Sequence, residues 1–208
     1  MKILNPKLEE YMLGLTPARD PVLQEMERYG DERDFPHIGP LCGRFLQQMA
    51  IVAGAKRIFE MGSGFGYSAV WFARGIPDDG KIICTDGDPG NKKRALDSFK
   101  KAGLSHKIEF HVGIAQEIIK RFDGPFDIIF NDVDKHEYPE TLDLVIPKLR
   151  KGGLFITDNT LWDGKVDGEP DDKYTRGVQE FNRLSFRRKD ILTTIVPLRD
   201  GLSVSVKV

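Results

Sequence analysis

Apolar positions along the chain fall into two regimes that meet near Lys56. Upstream they recur at helical spacing: Leu8, Met12 and Leu15 in one stretch, Val22, Met26 and Tyr29 in a second, Leu41, Phe45, Met49 and Val52 in a third, with a break at 36–40. Downstream, short apolar runs alternate with amphipathic stretches. Strands are predicted at 57–61, 81–85, 108–112, 126–130 and 154–157. Helices are predicted at 68–73, 91–102, 115–122, 138–149 and near 175–184, with a polar loop over 162–172. Two more strand-like runs, 191–196 and 202–208, flank the turn at Asp200-Gly201 and suggest an antiparallel edge hairpin. Alternation of this kind predicts βαβ units and an α/β fold with a mostly parallel sheet. The expected organisation is one domain over 1–208, with a helical extension over 1–53 and the α/β core over 54–208.

Composition narrows the class. The 208 residues suit a single domain, and 40% hydrophobic with 30% charged residues is a globular balance. Lys plus Arg number 31 against 32 Asp plus Glu, so the net charge of −1 lacks the basic excess of a dedicated nucleic-acid binder. No apolar run approaches the ~20 residues that span a bilayer. Two cysteines, Cys42 and Cys84, form neither a disulfide framework nor a CxxC pair, which fits the reducing cytoplasm. The four histidines show no metal-ligand spacing. The basic run at 91–94 with Lys100 and Lys101 reads as a solvated helix face.

In open parallel sheets ligands sit outside the carboxyl ends of the strands. Four of the first five predicted strands end there in Glu60, Asp86, Asn131-Asp132 and Asp158-Asn159. Asp and Asn are ordinary cap and loop residues, so one alone says little; four on one edge mark a site. The first end opens into Gly62-Ser63-Gly64-Phe65-Gly66-Tyr67-Ser68, a strand-to-helix glycine turn. Its spacing is G-x-G-x-G, and Tyr67 stands where a dinucleotide fingerprint needs its third glycine. Glu60 beside the turn suits a cationic ligand, and Asp86 is placed to accept from ribose hydroxyls. A nucleoside with a positive centre and no phosphate is S-adenosylmethionine.

The ends of the fourth and fifth strands carry oxygen donors. If they are neighbours, Asp132, Asp158 and Asn159 converge as ligands suited to Mg²⁺ or Ca²⁺. On spacing alone, two caps and a turn residue explain them equally well. Lys135 follows three residues after Asp132. Beside a divalent cation its amine is pushed toward the neutral form and can accept a proton; on residue type alone a solvated loop lysine is the simpler reading.

Together, 60–68, Asp86, Asp132-Val133-Asp134-Lys135 and Asp158-Asn159 resemble the cation-dependent S-adenosylmethionine O-methyltransferases of the caffeoyl-CoA and catechol type, over nearly the whole chain. The resemblance implies a Rossmann-like methyltransferase fold: a seven-stranded sheet with an antiparallel C-terminal edge and helices on both faces. It implies that Glu60, Gly62, Ser63, Gly64, Ser68, Asp86, Ala115 and Asp134 contact the methyl donor. Asp132, Asp158 and Asn159 would hold the cation, Mg²⁺ with Ca²⁺ or Mn²⁺ as alternatives, and Lys135 would act as base. It further implies a homodimer and a small aromatic diol as acceptor. Ile38 and Asp163 depart from the plant pattern of a small hydroxyl residue and an Asn, and Lys7 is only a loose match to a substrate lysine. Trp162 and Tyr138 are candidate walls of the acceptor site, with packing roles at least as well supported. Two alternatives share the donor: methylation of 5-hydroxyuridine in tRNA, and a donor-binding domain without catalysis.

Overall fold

The computed structural model describes residues 3–208. Three helices come first: α1 (Pro6–Leu15), α2 (Pro21–Asp31) and α3 (Gly39–Val52). The core then runs β1 (Arg57–Met61), α4 (Tyr67–Gly75), β2 (Lys81–Asp86), α5 (Pro89–Lys101), β3 (Ile108–Val112), α6 (Ala115–Ile119), β4 (Phe126–Asn131), α7 (Tyr138–Val145), β5 (Leu149–Thr157), α8 (Lys173–Arg187), β6 (Ile191–Val196) and β7 (Leu202–Lys207). Seven strands form one sheet in the order β3-β2-β1-β4-β5-β7-β6. β1 to β5 are parallel, and β7 lies antiparallel to both β5 and β6.

The central strands are apolar on both faces because helices cover both. Alternation along each strand divides the core in two. Ile58, Ile82, Ile128, Phe130 and Ile156 face α2 to α5. Phe59, Met61, Ile83, Ile129 and Phe155 face α6, α7 and α8. At the end away from the loops of interest, the Asp127 carboxylate accepts from the Lys56 and Arg57 amides, each at 2.8 Å, and from Arg150 Nε at 2.6 Å, which holds β1, β4 and β5 together.

The register sets the opposite end. Met61 pairs with Thr85 and with Asn131, and Asn131 pairs with Thr157. The next residues are therefore Gly62, Asp86, Asp132 and Asp158, side by side along one edge. The strand order reverses between β1 and β4, which opens a crevice there.

Some predicted boundaries move. The helix over 138–149 stops at Val145, because Pro147 has no N–H to continue it; a 3₁₀ turn follows. β5 begins at Leu149, not 154, with the register shift near its Gly152-Gly153 pair masking the early start. The stripe on α1 buries nothing: Leu8, Tyr11 and Leu15 are 57–66% exposed. α2, in contrast, buries Leu23 and Met26 on the core.

α8 presses on the turn after β4. A Cβ at Gly177 would lie 2.3 Å from the Lys135 carbonyl oxygen and 2.7 Å from His136 Cα. Gly177→Ala is expected to destabilise by about 1–3 kcal/mol through overpacking. Gly14→Ala on α1, where a Cβ meets nothing within 4 Å, is expected to stabilise by roughly 0.4–1 kcal/mol. Urea unfolding of the two variants checks both signs.

Candidate active site

A cavity of about 480 Å³ opens in the crevice, within the usual size of a small-molecule site. Seven of the eight expected donor residues line it: Gly62, Ser63, Gly64, Ser68, Asp86, Ala115 and Asp134. The glycine turn needs its glycines. Gly62 has φ +81°, and a Cβ there would lie 2.4 Å from the Asp132 carbonyl oxygen. The turn is tied to β2, with the Ser63 amide donating to Thr85 O at 2.7 Å and the Gly64 amide to Asp86 Oδ2 at 3.1 Å. Asp86 Oδ1 also accepts from the Asp88 amide and Asn91 Nδ2, so β2, the turn and α5 share one carboxylate.

Glu60, the eighth, lies beneath the cavity and not on its wall, fully buried. The Cys84 thiol donates to Oε2 at 3.4 Å, while Oε1 is buried without a partner. Burial pushes its pKa up to about 7, against the opposing pull of Ser68, Ser63 and Cys84.

The second cluster sits where β4 and β5 end. Lys135 Nζ donates to Asp132 Oδ1 at 2.6 Å, and lies 5.3 Å from the Tyr138 ring and 6.0 Å from the Trp162 ring. Asp158 is 1% exposed; Arg199 Nη1 donates to its Oδ2 at 3.3 Å, and its Oδ1 has no partner. Burial first and then the charge of Asp132 push the Asp158 pKa up to about 7. Burial also raises Asp132, against the pull of Lys135. Asn159, at φ +54°, donates from Nδ2 to Asp200 Oδ2 at 3.0 Å, which leaves its carbonyl oxygen as the group free to meet a cation. Asp200 Oδ1 accepts from the Asp163 amide at 2.6 Å and so fixes the left-handed turn at Trp162-Asp163. Tyr138 is fully buried, and its hydroxyl donates to the Asp158 carbonyl oxygen at 2.9 Å: it is a strut for the cluster, not an acceptor wall.

Among the described residues no group of three or more His, Cys, Asp and Glu side chains forms a metal cluster. The candidate set is two carboxylates and an amide. Its unpartnered, buried Asp158 oxygen, set against the Asp132 charge, fits a hard divalent cation with oxygen ligands. The sequence pattern marks neither the 35–38 segment, which lines the cavity, apart from Ile38, nor the side chains of Arg199 and Asp200.

A family model described as O-methyltransferase matches residues 18–208. The chain belongs to the O-methyltransferase family. This O-methyltransferase is 31% identical over 211 residues to the catechol O-methyltransferase of Niastella koreensis, covering 96% of each chain. It is 35% identical over 175 residues to caffeoyl-CoA O-methyltransferase 5 of Nicotiana tabacum, covering 78% of this chain and 73% of the relative. Among solved structures, an O-methyltransferase from Bacillus cereus in complex with SAH superposes with a TM-score of 0.89 at 25% identity, covering 97% of each chain. One from Streptomyces achromogenes, involved in tomaymycin synthesis and solved with SAM, gives 0.88 at 27% identity, covering 97% of this chain and 96% of that one.

Two outcomes are expected. A carboxyl raised to about 7 by the fold contributes stability that is complete below its unfolded value near 4.5 and is lost as pH rises through about 7. Glu60→Gln therefore stabilises the ligand-free protein at pH 8, by up to about 3 kcal/mol, and has little effect at pH 4; denaturant titrations at the two pH values read the difference. Asp200→Ala releases Asn159 and the Asp163 amide together, and is expected to lower stability by about 1–3 kcal/mol in the same assay.

Proposed function

We propose that this O-methyltransferase moves the methyl group of S-adenosylmethionine to one hydroxyl of a small aromatic vicinal diol, with a divalent cation, Mg²⁺ by its oxygen donor set, held by Asp132, Asp158 and Asn159. The observation that carries the reading is Asp158: a carboxylate buried against Asp132 with one oxygen left unpartnered, at a site where charge and ligand are both wanting. When bound, such a cation would lower the pKa of a substrate hydroxyl and so supply the acidity that the transfer needs.

The chain's own residues do the rest. The glycine turn and Asp86 hold the donor's nucleoside, with Asp86 accepting from ribose hydroxyls, Ala115 and Asp134 on the facing wall, and Ser63 and Ser68 beside it. Glu60, ionised beneath a cationic ligand, balances the donor's charge. Lys135, held by Asp132, accepts or orients the hydroxyl proton at Nζ. The acceptor oxygen bonds the methyl carbon, the sulfur keeps the pair from the broken carbon–sulfur bond, and S-adenosylhomocysteine leaves. Trp162, partly buried beside Lys135, serves as an aromatic edge for the acceptor.

The unit is a single domain acting as a homodimer through the exposed Leu8, Tyr11 and Leu15 of α1, and two free, buried cysteines support a cytoplasmic setting. A second reading, methylation of 5-hydroxyuridine in tRNA, is favoured by one feature, the exposed Lys93, Arg94 and Lys100 of α5. No helix among the described residues is long and apolar enough to cross a membrane.

Transfer of label from the donor to caffeic acid, with Mg²⁺ and with EDTA, tests the reading. Turnover is expected to vanish with EDTA and in Asp158→Ala, and to fall roughly 10²–10⁴-fold in Lys135→Ala. EDTA-insensitive turnover sinks the cation site; no turnover with donor binding intact moves the assignment to tRNA.

A further inference from the structure

Three consecutive residues after the oxygen cluster stand in the left-handed region: Trp162 at φ +46°, Asp163 at +52° and Gly164 at +79°. Two of them carry side chains, so the turn is held against backbone preference and has to be secured from outside. Its near end is secured by the β6–β7 turn. The Thr160 amide donates to Gly201 O at 3.0 Å and the Leu161 amide to Asp200 O at 2.9 Å, while the Asp200 carboxylate takes the Asp163 amide. Asn182 of α8 adds a bond from Nδ2 to Thr160 O at 2.8 Å.

The far end depends on one other side chain. Gln179, half-buried and three residues before Asn182 on the same face of α8, donates from Nε2 to Val166 O at 3.2 Å and to Gly168 O at 2.7 Å. An amide group has two N–H donors, and here both go to one loop segment. Among the described residues, Gln179 is the one side chain outside the loop that hydrogen-bonds 165–168. Lys165 is held with its neighbour Val166. Its ammonium lies 5.7 Å from the Trp162 ring, which also has Lys135 Nζ at 6.0 Å. The place where Gln179 fixes the backbone therefore bears on where the indole stands beside Lys135. α8 carries both sides of this arrangement, since Gly177 packs on the Lys135 carbonyl.

Resting on the acceptor reading above, we propose that Gln179 is a positioning residue: through the carbonyls of Val166 and Gly168 it holds the loop so that Trp162 forms a rigid edge for the acceptor ring. It acts through the loop backbone and not on the reacting atoms. What it supplies is preorganisation, because a loop already ordered loses less freedom when the acceptor binds.

Three variants separate its hydrogen bonds from its bulk. Gln179→Glu keeps the shape and loses both donors. Gln179→Met keeps the length and has no donor. Gln179→Lys restores a donor of the kind that Lys107 uses on the carbonyls of Ala73 and Ile76. Acrylamide quenching of Trp162 fluorescence reads the loop without turnover, with Trp162→Phe as the blank for the buried Trp71. Quenching is expected to rise about twofold or more in Gln179→Glu and Gln179→Met, and to stay near its original value in Gln179→Lys. The KM for caffeic acid is expected to rise about fivefold in the first two, the equivalent of about one hydrogen bond. Both kcat and the Kd for S-adenosylhomocysteine are expected to stay within about twofold, as for a residue that serves acceptor binding alone. Quenching in Gln179→Glu that matches the unsubstituted protein overturns the clamp. Raised quenching with an unchanged KM overturns its bearing on the acceptor. A loss of S-adenosylhomocysteine binding in step with the rise in KM marks a general loosening of the fold and overturns the assignment as well. If the unsubstituted protein binds the donor and turns over neither caffeic acid nor catechol, the diol reading fails and this inference with it, whatever the quenching shows.

Discussion

Parallel pairing in register is the constraint on which the site depends. Evenly spaced bonds between β1, β2, β4 and β5 bring Met61, Thr85, Asn131 and Thr157 into line, so the chain leaves all four strands at one level. Residues that are 24 to 96 positions apart in sequence then share one edge without any long-range recognition of their own. Donor turn and oxygen cluster are two halves of that edge. They meet where a Cβ on Gly62 would strike the Asp132 carbonyl oxygen, so the absence of a side chain at one position sets the distance between the two halves.

Electrostatics gives the edge its chemistry. Three carboxyl groups, Glu60, Asp132 and Asp158, are held where burial disfavours their charged forms. Each half answers this differently. Beneath the glycine turn Glu60 has only thiol and hydroxyl neighbours to set against its burial. At the β4 and β5 ends, Lys135 and Arg199 supply part of it from within the chain. Such unrelieved burial costs stability, and a cation bound at either half would recover part of it.

Much of this was legible in the sequence, because the signals were local. Short apolar runs predicted five parallel strands, four of them ending in acid or amide residues, and the structure brings those four ends and the Gly62-Ser63-Gly64 turn to one edge of the sheet. The misses were not local. Arg199 and Asp200 sit in a hairpin turn whose sequence looks like any other Asp-Gly turn. Their roles arise only when β7 enters beside β5, 41 residues after Asp158 and Asn159. The segment at 35–38 reads as a break between helices, and its place on the cavity wall follows from how α2 packs on the sheet. Tyr138 carries aromatic character but no sign that its hydroxyl is needed inside the core.

The position of β7 bears on how the molecule comes into being. β7 follows β6 in the chain but lies inside the sheet, between β6 and β5. During synthesis β5 is an open edge until residues 202–207 have cleared the ribosome, and Asn159 lacks its Asp200 anchor for the same interval. One late segment thus closes the sheet and, in the same step, brings Arg199 to Asp158 and Asp200 to Asn159, so the cluster at the β4 and β5 ends is tied to completion of the fold.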